Sequence, residues 1–235
     1  IEGSGTPSKC YDFDVVKFTN AGSAVPNVTL GGTIKPGSVE FNSTAHYTLS
    51  GSPITGTASL LQSGTGTTTL ANDNTSTGQA TISAGTLEIG AGGTTGSITS
   101  PAVSNNSALV FNRSDATAFA GIISGSGQVV KRGSGSLTLS GVNTFTGNTL
   151  VEAGNLLLGN GSSSGTAAGG IIVQSGATLD LNGITLPIGE VVTVAGTGTA
   201  GFCLTGAGTT LAALSLSANA TIGGSARINL GTGAV

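Results

Sequence analysis

Gly133-Ser-Gly-Ser-Leu-Thr-Leu-Ser-Gly-Val-Asn-Thr-Phe-Thr-Gly-Asn-Thr-Leu-Val-Glu-Ala-Gly-Asn-Leu-Leu-Leu-Gly159 is the stretch whose reading decides the fold. Leu137 and Leu139 alternate with polar residues, the period-two pattern of a half-buried strand. Thr149–Glu152 and Leu156–Leu158 read as further short strands, and the Gly, Ser and Asn clusters between them have the chemistry of turns. The same pattern stands 69 positions upstream. Gly66–Leu70 maps onto Gly135–Leu139, Thr77-Gly78 onto Thr146-Gly147, Ala84-Gly85 onto Ala153-Gly154, and Leu87 onto Leu156. Ile54-Thr-Gly56 maps onto Ile123-Ser-Gly125. A second series, 70 apart, links Val39–Asn42, Leu109–Asn112 and Leu179–Asn182. Gly78, Gly85, Gly147 and Gly154 are the recurring turn glycines of this unit.

Working outward, the rest of the chain has the same texture. Ala108–Asn112, Gly127–Lys131, Ile171–Gln174 and Thr178–Leu181 read as strands, and Val192/Val194 and Leu214/Leu216 alternate. No segment has an apolar face of helical period. Short strands could also build a sandwich or barrel, but there strands need not resemble one another. In a solenoid each coil stacks on a similar coil, so equivalent positions recur. The expectation is an all-β, right-handed parallel β-helix with a super-repeat of about 70 residues. At about 20 residues per coil the unit holds three to four coils. The whole chain then makes roughly eleven coils, a rod of about 50 Å at ~4.8 Å per coil. Residues 1–18 are read as an N-terminal cap or assembly segment and 19–235 as the continuous solenoid. The recurring Asn42, Asn112 and Asn182 are read as turn caps at strand ends, in preference to a stacked amide ladder.

Composition narrows the function classes. Charged residues are 7% of the chain, against about 25% in ordinary domains. Hydrophobic residues are 37% and the net charge is −3, a balance that opposes disorder. Seven Lys and Arg, with only Lys131-Arg132 adjacent, cannot form the basic stripe that nucleic acid requires. No apolar run is long enough for a membrane-spanning helix. The chain opens on Ile1, as a processed protein or a fragment would.

The stretch Gly133–Gly159 resembles the autotransporter-associated β-strand repeat, whose pattern is approximately G-x-G-T-L-T-L-S-G-x-N-T-Y-T-G-x-T-x-V-x-x-G-T-L. Gly64–Gly90 follows it more loosely, with Ala71-Asn72-Asp73-Asn74 for Ser-Gly-Val-Asn and Ser76 at the aromatic position. The resemblance implies a passenger-type β-helix exported to the cell surface or beyond. It implies location and shape rather than a particular activity. No β-barrel translocator follows Val235, so such a domain lies outside this chain or the protein is secreted free.

Catalytic signals are weak. Gly161–Gly165 matches G-x-S-x-G around Ser163, and Gly196–Gly201 matches G-x-G-x-x-G, but neither is followed by a helix pattern. Among 41 glycines such matches arise from composition. Polysaccharide-degrading β-helix enzymes need paired carboxylates, whereas the ten acids read as scattered and Glu88 and Glu152 do not share a repeat register. His46 is the lone histidine, and no metal or cofactor set is visible. Seven N-x-S/T sequons follow from composition, and Thr67–Thr69 does not recur as an ice-binding rank would.

The N-terminal segment concentrates charge and aromatics. Cys10, Tyr11, Phe13, Val15 and Phe18 form a candidate assembly segment, because open solenoid ends need capping or pairing. Cys10 and Cys203 form a candidate disulfide, between neighbouring subunits if rods stack head to tail; two free thiols are equally allowed. The leading expectation is a non-enzymatic exported rod assembling end to end into a surface or extracellular fibre. The alternative is an adhesin or autotransporter passenger that contacts a surface or polysaccharide.

Overall fold

A computed structural model describes residues 11–23, 26–166, 168–186, 189–199 and 201–206, with the short segments 210–211, 213–217, 220–223 and 229–230. The chain is an all-β parallel solenoid of about 9 turns, roughly 40 Å long at the usual inter-strand spacing. The one helical element among the described residues is a 3-10 turn at Asn20–Gly22.

Each coil visits up to three faces in order. Face one is a six-stranded sheet of Val15–Thr19, Ser38–Asn42, Ser59–Gln62, Ala80–Ile82, Ala102–Asn105 and Ile122–Ser124. Face two carries ten strands and runs the length of the rod: Asn27–Leu30, Tyr47–Gly51, Thr67–Leu70, Thr86–Ile89, Ala108–Phe111, Gln128–Lys131, Thr149–Val151, Ile171–Val173, Val191–Ala195 and Ala213–Ser217. Face three holds Thr117–Phe119, Ser136–Leu139, Gly154–Leu158, Ala177–Asp180 and Leu204–Thr205. The step from a residue to its partner above varies between 19 residues, at Thr67↔Thr86, and 25, at Leu179↔Leu204. The described strands make about 9 turns, where the sequence suggested roughly eleven over the whole chain.

Pairing by alternation separates a core column from a surface column on every face. On face three Leu137, Leu156, Leu179 and Leu204 stack inward, each nearly or fully buried. On face two Leu70, Ile89, Phe111, Lys131, Val151, Val173 and Val194 form one inward column. Each buried Leu or Ile contributes about 1.5–3 kcal/mol of hydrophobic free energy. Outward positions fall one above another at ~4.8 Å, where like charges would repel strongly. That spacing accounts for a surface of Thr, Ser and Asn.

The repeat is not a whole number of coils. Its first-copy strands Ser59–Gln62 and Thr67–Leu70 lie on faces one and two. The equivalents 69 residues later, Gln128–Lys131 and Ser136–Leu139, lie on faces two and three. Ala80–Ile82 and Thr86–Ile89 move in the same way to Thr149–Val151 and Gly154–Leu158. One unit therefore advances three turns and one face. Asn42, Asn112 and Asn182 follow suit, closing strands on faces one, two and three, which removes any stacked ladder. Asn182 adopts φ 50°, and its backbone N–H donates to Asp180 Oδ1 at 2.9 Å, a turn-capping geometry.

Candidate functional site

The repeat's own polar residues lie inside the rod. Asn143 is buried, and its Oδ1 accepts the Ile123 N–H at 2.8 Å while Nδ2 donates to Ser163 O at 2.8 Å. In the first copy Asn74 Oδ1 accepts the Ile54 N–H at 2.9 Å. Both pairs are 69 residues apart from their counterparts, so a buried asparagine recurs in each unit and ties successive coils where a loop replaces a strand. Gln62 and Lys131 are another equivalent pair. Gln62 Nε2 donates to Gly64 O at 2.8 Å, and Lys131 Nζ donates to Gly133 O and to Ala153 O, the latter at 3.1 Å. Burial pushes the Lys131 ammonium down to about 8.

The four turn glycines meet two separate demands. A Cβ at Gly78 or Gly147 would collide with the Ala58 or Gly127 carbonyl of the coil beneath. Gly85 and Gly154 have φ +64° and +67° and press on Gly66 O and Gly135 O. Coil-to-coil approach, rather than a ligand, fixes these positions.

The surface gathers acids that look scattered in the sequence, but it gathers them around arginines. Arg113 makes a bidentate pair with Asp115 at 2.8 and 2.7 Å and reaches Asp73 at 3.3 Å. Its guanidinium also donates to Gly96 O and Thr94 O, pinning the inserted loop at 91–96. The Arg113 charge holds the Asp115 carboxyl below its ordinary range, the reverse of what a general acid requires. Arg132 Nε contacts Glu152 at 2.7 Å, and Nη1 reaches Glu88 at 3.4 Å. Asn112 and Thr69 also donate to Glu88, at 2.8 and 3.1 Å. This second cluster runs along face two beside an outward apolar column of Val110, Val130, Leu150 and Ile172. The Arg132–Glu88 pair spans the coil that carries Val110, which is 2% exposed although it stands on the outer side of the sheet.

At the N-terminal end, Phe18 points inward, stacks on Phe41 at 4.7 Å and meets Tyr47 at 5.3 Å. It closes the core. Tyr11, Phe13 and Val15 are exposed, and Lys17 pairs with Glu40 at 2.9 Å. Cys10 lies outside the described residues. Cys203 is a buried free thiol whose Sγ donates to Thr221 O at 2.9 Å.

Neither catalytic motif has the geometry of its chemistry. Ser163 is fully buried, and its Oγ accepts the Gly159 and Asn160 N–H groups at 3.0 and 2.8 Å inside a turn. The Gly196–Gly201 segment leads into the strand Leu204–Thr205 rather than a helix. His46 is exposed ahead of the strand Tyr47–Gly51. Among the described residues no group of three His, Cys, Asp or Glu could hold a metal, and no helix is long and apolar enough to cross a membrane. Sequence reasoning missed the internal amides and Glu190, a fully buried acid. The amides were findable, because Asn and the Gln/Lys position recur in both copies.

Comparison with known proteins agrees with this architecture. The family model of the passenger-associated-transport-repeat matches residues 60–89 and 129–158. Over 73 residues the chain is 48% identical to the adhesin BmaC autotransporter of Brucella suis biovar 1 (strain 1330). That match covers 31% of this chain and 2% of the relative, so the chain spans a small part of that protein's length. No solved structure matches the chain. The two copies found by spacing thus coincide with the two segments that the repeat model matches, both mounted on a β-solenoid.

Proposed function

We propose that this chain is a non-enzymatic scaffold segment of an exported, surface-exposed passenger of the adhesin type. The observation that carries it is the advance of one face per repeat unit. Equivalent outward residues of the two copies fall on different faces, so the repeat does not lay down a continuous binding ribbon. What every copy does preserve is internal: the coil-tying amide, the close-packed glycines and the inward aliphatic columns. Selection of that kind maintains a stiff rod, and the matched repeat and the adhesin relative support an exported setting. The paired state of Arg113 and Arg132 supports a structural role for the surface charges. Contact with a host surface or polysaccharide belongs to residues outside the repeat pattern.

A second reading, end-to-end assembly into a fibre, is favoured by the exposure of Tyr11, Phe13 and Val15 at the end of face one. Among the described residues the strand Val15–Thr19 pairs on one side only, with Ser38–Asn42. A paired Cys10–Cys203 crosslink belongs to this reading. Electron microscopy of the purified chain over a concentration series separates the two. Isolated short rods at every concentration support the passenger segment; filaments that lengthen with concentration overturn it in favour of the fibre.

A further inference from the structure

Glu190 is the one charged residue between Asp180 and Arg227, and the fold places it in the core. It immediately precedes the face-two strand Val191–Ala195, and the pairing Ile171↔Val192 sets it above Gly169. Gly169 in turn stacks on Gly147, and Gly147 on Gly127, each with no room for a Cβ. Glu190 is thus where a column of inward glycines gives way to a long acidic side chain. The side chain is fully buried. Oε2 accepts the Ser164 hydroxyl at 3.0 Å, and Oε1 has no hydrogen-bond partner among the described residues. Ser164 O accepts from Thr149 Oγ1 at 3.3 Å, so the contact joins three successive coils.

Segments 143–149, 162–171 and 191–199, which pack around this point, contain no Asp, Glu, His, Lys, Arg, Cys or Tyr. Nothing there can neutralise a carboxylate. Burial accordingly drives the acid up to about 7, against a smaller opposing effect of the Ser164 hydroxyl. An ionised carboxylate with one donor and one bare oxygen in an apolar interior is costly. The protonated acid is tolerated.

We propose that Glu190 is a proton-operated latch for the C-terminal coils: protonated, it seats the strand Val191–Ala195 and the coils beyond on the central array; ionised, it loosens them. The central coils do not loosen in this way: their surface charges are paired, and their buried Lys131 gains stability as pH rises. An exported rod with such a latch would be stiff to its end in acidic surroundings and frayed at that end in alkaline ones.

Hydrogen exchange of the full chain, read by mass spectrometry and corrected for the intrinsic pH dependence, tests this. Between about pH 5.5 and pH 8.5 the segment 191–205 should lose protection at least about tenfold relative to 67–70, a local opening. In Glu190→Gln that pH dependence should vanish. An undiminished response in the variant, or a flat wild-type profile, overturns the latch. Ser164→Ala supplies an independent reading if the first variant fails to fold. Removing the hydroxyl that favours the carboxylate should move the opening midpoint to higher pH, whereas a purely structural contact would lower protection without moving the midpoint.

Discussion

Phe145 and Ser76 occupy the same position of the two repeat units, 69 residues apart, and only one of them fills the core. Phe145 is fully buried with its ring against Gly165, where a Cβ would have no room. Ser76 instead lines a narrow open crevice with room for about one water, walled by Ile54, Leu60, Leu70 and Ile98. The two units therefore fill this position differently, with an aromatic ring in the second and a short polar side chain beside a crevice in the first.

Phe145→Ala should cost about 3–5 kcal/mol, the usual effect of emptying a fully buried aromatic site. Ser76→Ala should cost under about 1 kcal/mol, since its side chain contributes little to the packing. Urea titration of each variant checks the pair. Equal losses would show that the aromatic position is not the plug of the unit.

Lys131 stands where the other copy has Gln62, and both satisfy backbone carbonyls from inside the core. A lysine with its folded value lowered to about 8 is penalised wherever the unfolded chain is protonated and the folded one resists it. Stability is therefore lowest below about pH 8 and recovers between there and the ordinary lysine range near 10.5. Lys131→Gln should raise stability at pH 7 by about 1–3 kcal/mol and remove the rise above pH 8. Thermal denaturation at pH 7 and pH 9.5 measures it, and a variant less stable than wild type at both would show that the ammonium does more than a neutral amide can.

Much of this was legible beforehand. The strands expected at Ala108–Asn112, Gly127–Lys131 and Thr149–Glu152 form within a residue of those limits, as Ala108–Phe111, Gln128–Lys131 and Thr149–Val151. The 69-residue spacing exposed the repeat because Gly and Leu recur for strictly local reasons of coil contact and core filling. The advance of one face was not legible. It depends on coil length, and lengths are set by insertions such as the loop that Arg113 holds, which carry no periodic signal. The adjacent Lys131-Arg132 reads as a basic pair, yet strand alternation sends one side chain into the core and the other to the surface. Glu190 was hidden for a related reason: a lone acid looks like a solvated turn residue until the glycine column beneath it is known.

Arg132 links Glu88 and Glu152 across the outward apolar column, and exposed ion pairs alone are worth little. Most of its value should come from covering Val110 and Val130 with its aliphatic stem. Arg132→Ala should cost about 1–2 kcal/mol, and Arg132→Met less than half of that. The wild-type stability should also change little between about 0.05 and 0.5 M salt, although screening is strong there. A Met variant as damaged as the Ala variant would assign the effect to charge instead.

Asn143 makes the last case, because its amide serves two coils at once. Truncation leaves the Ile123 N–H and the Ser163 carbonyl buried without partners, at about 1–3 kcal/mol for each group. Asn143→Ala should therefore lose about 2–5 kcal/mol, more than Asn182→Ala, whose amide donates to Leu158 O at 3.1 Å from an exposed turn. Asn143→Asp should be nearly as harmful as the Ala variant at pH 7, since a carboxylate can still accept from Ile123 but presents a negative charge to the Ser163 oxygen. Lowering the pH to about 4 should recover part of that loss by restoring a proton donor on the side chain. Equilibrium unfolding of the three variants at both pH values decides it: if Asn182→Ala proves the more damaging, the coils are held at the turn caps and not by the internal amide.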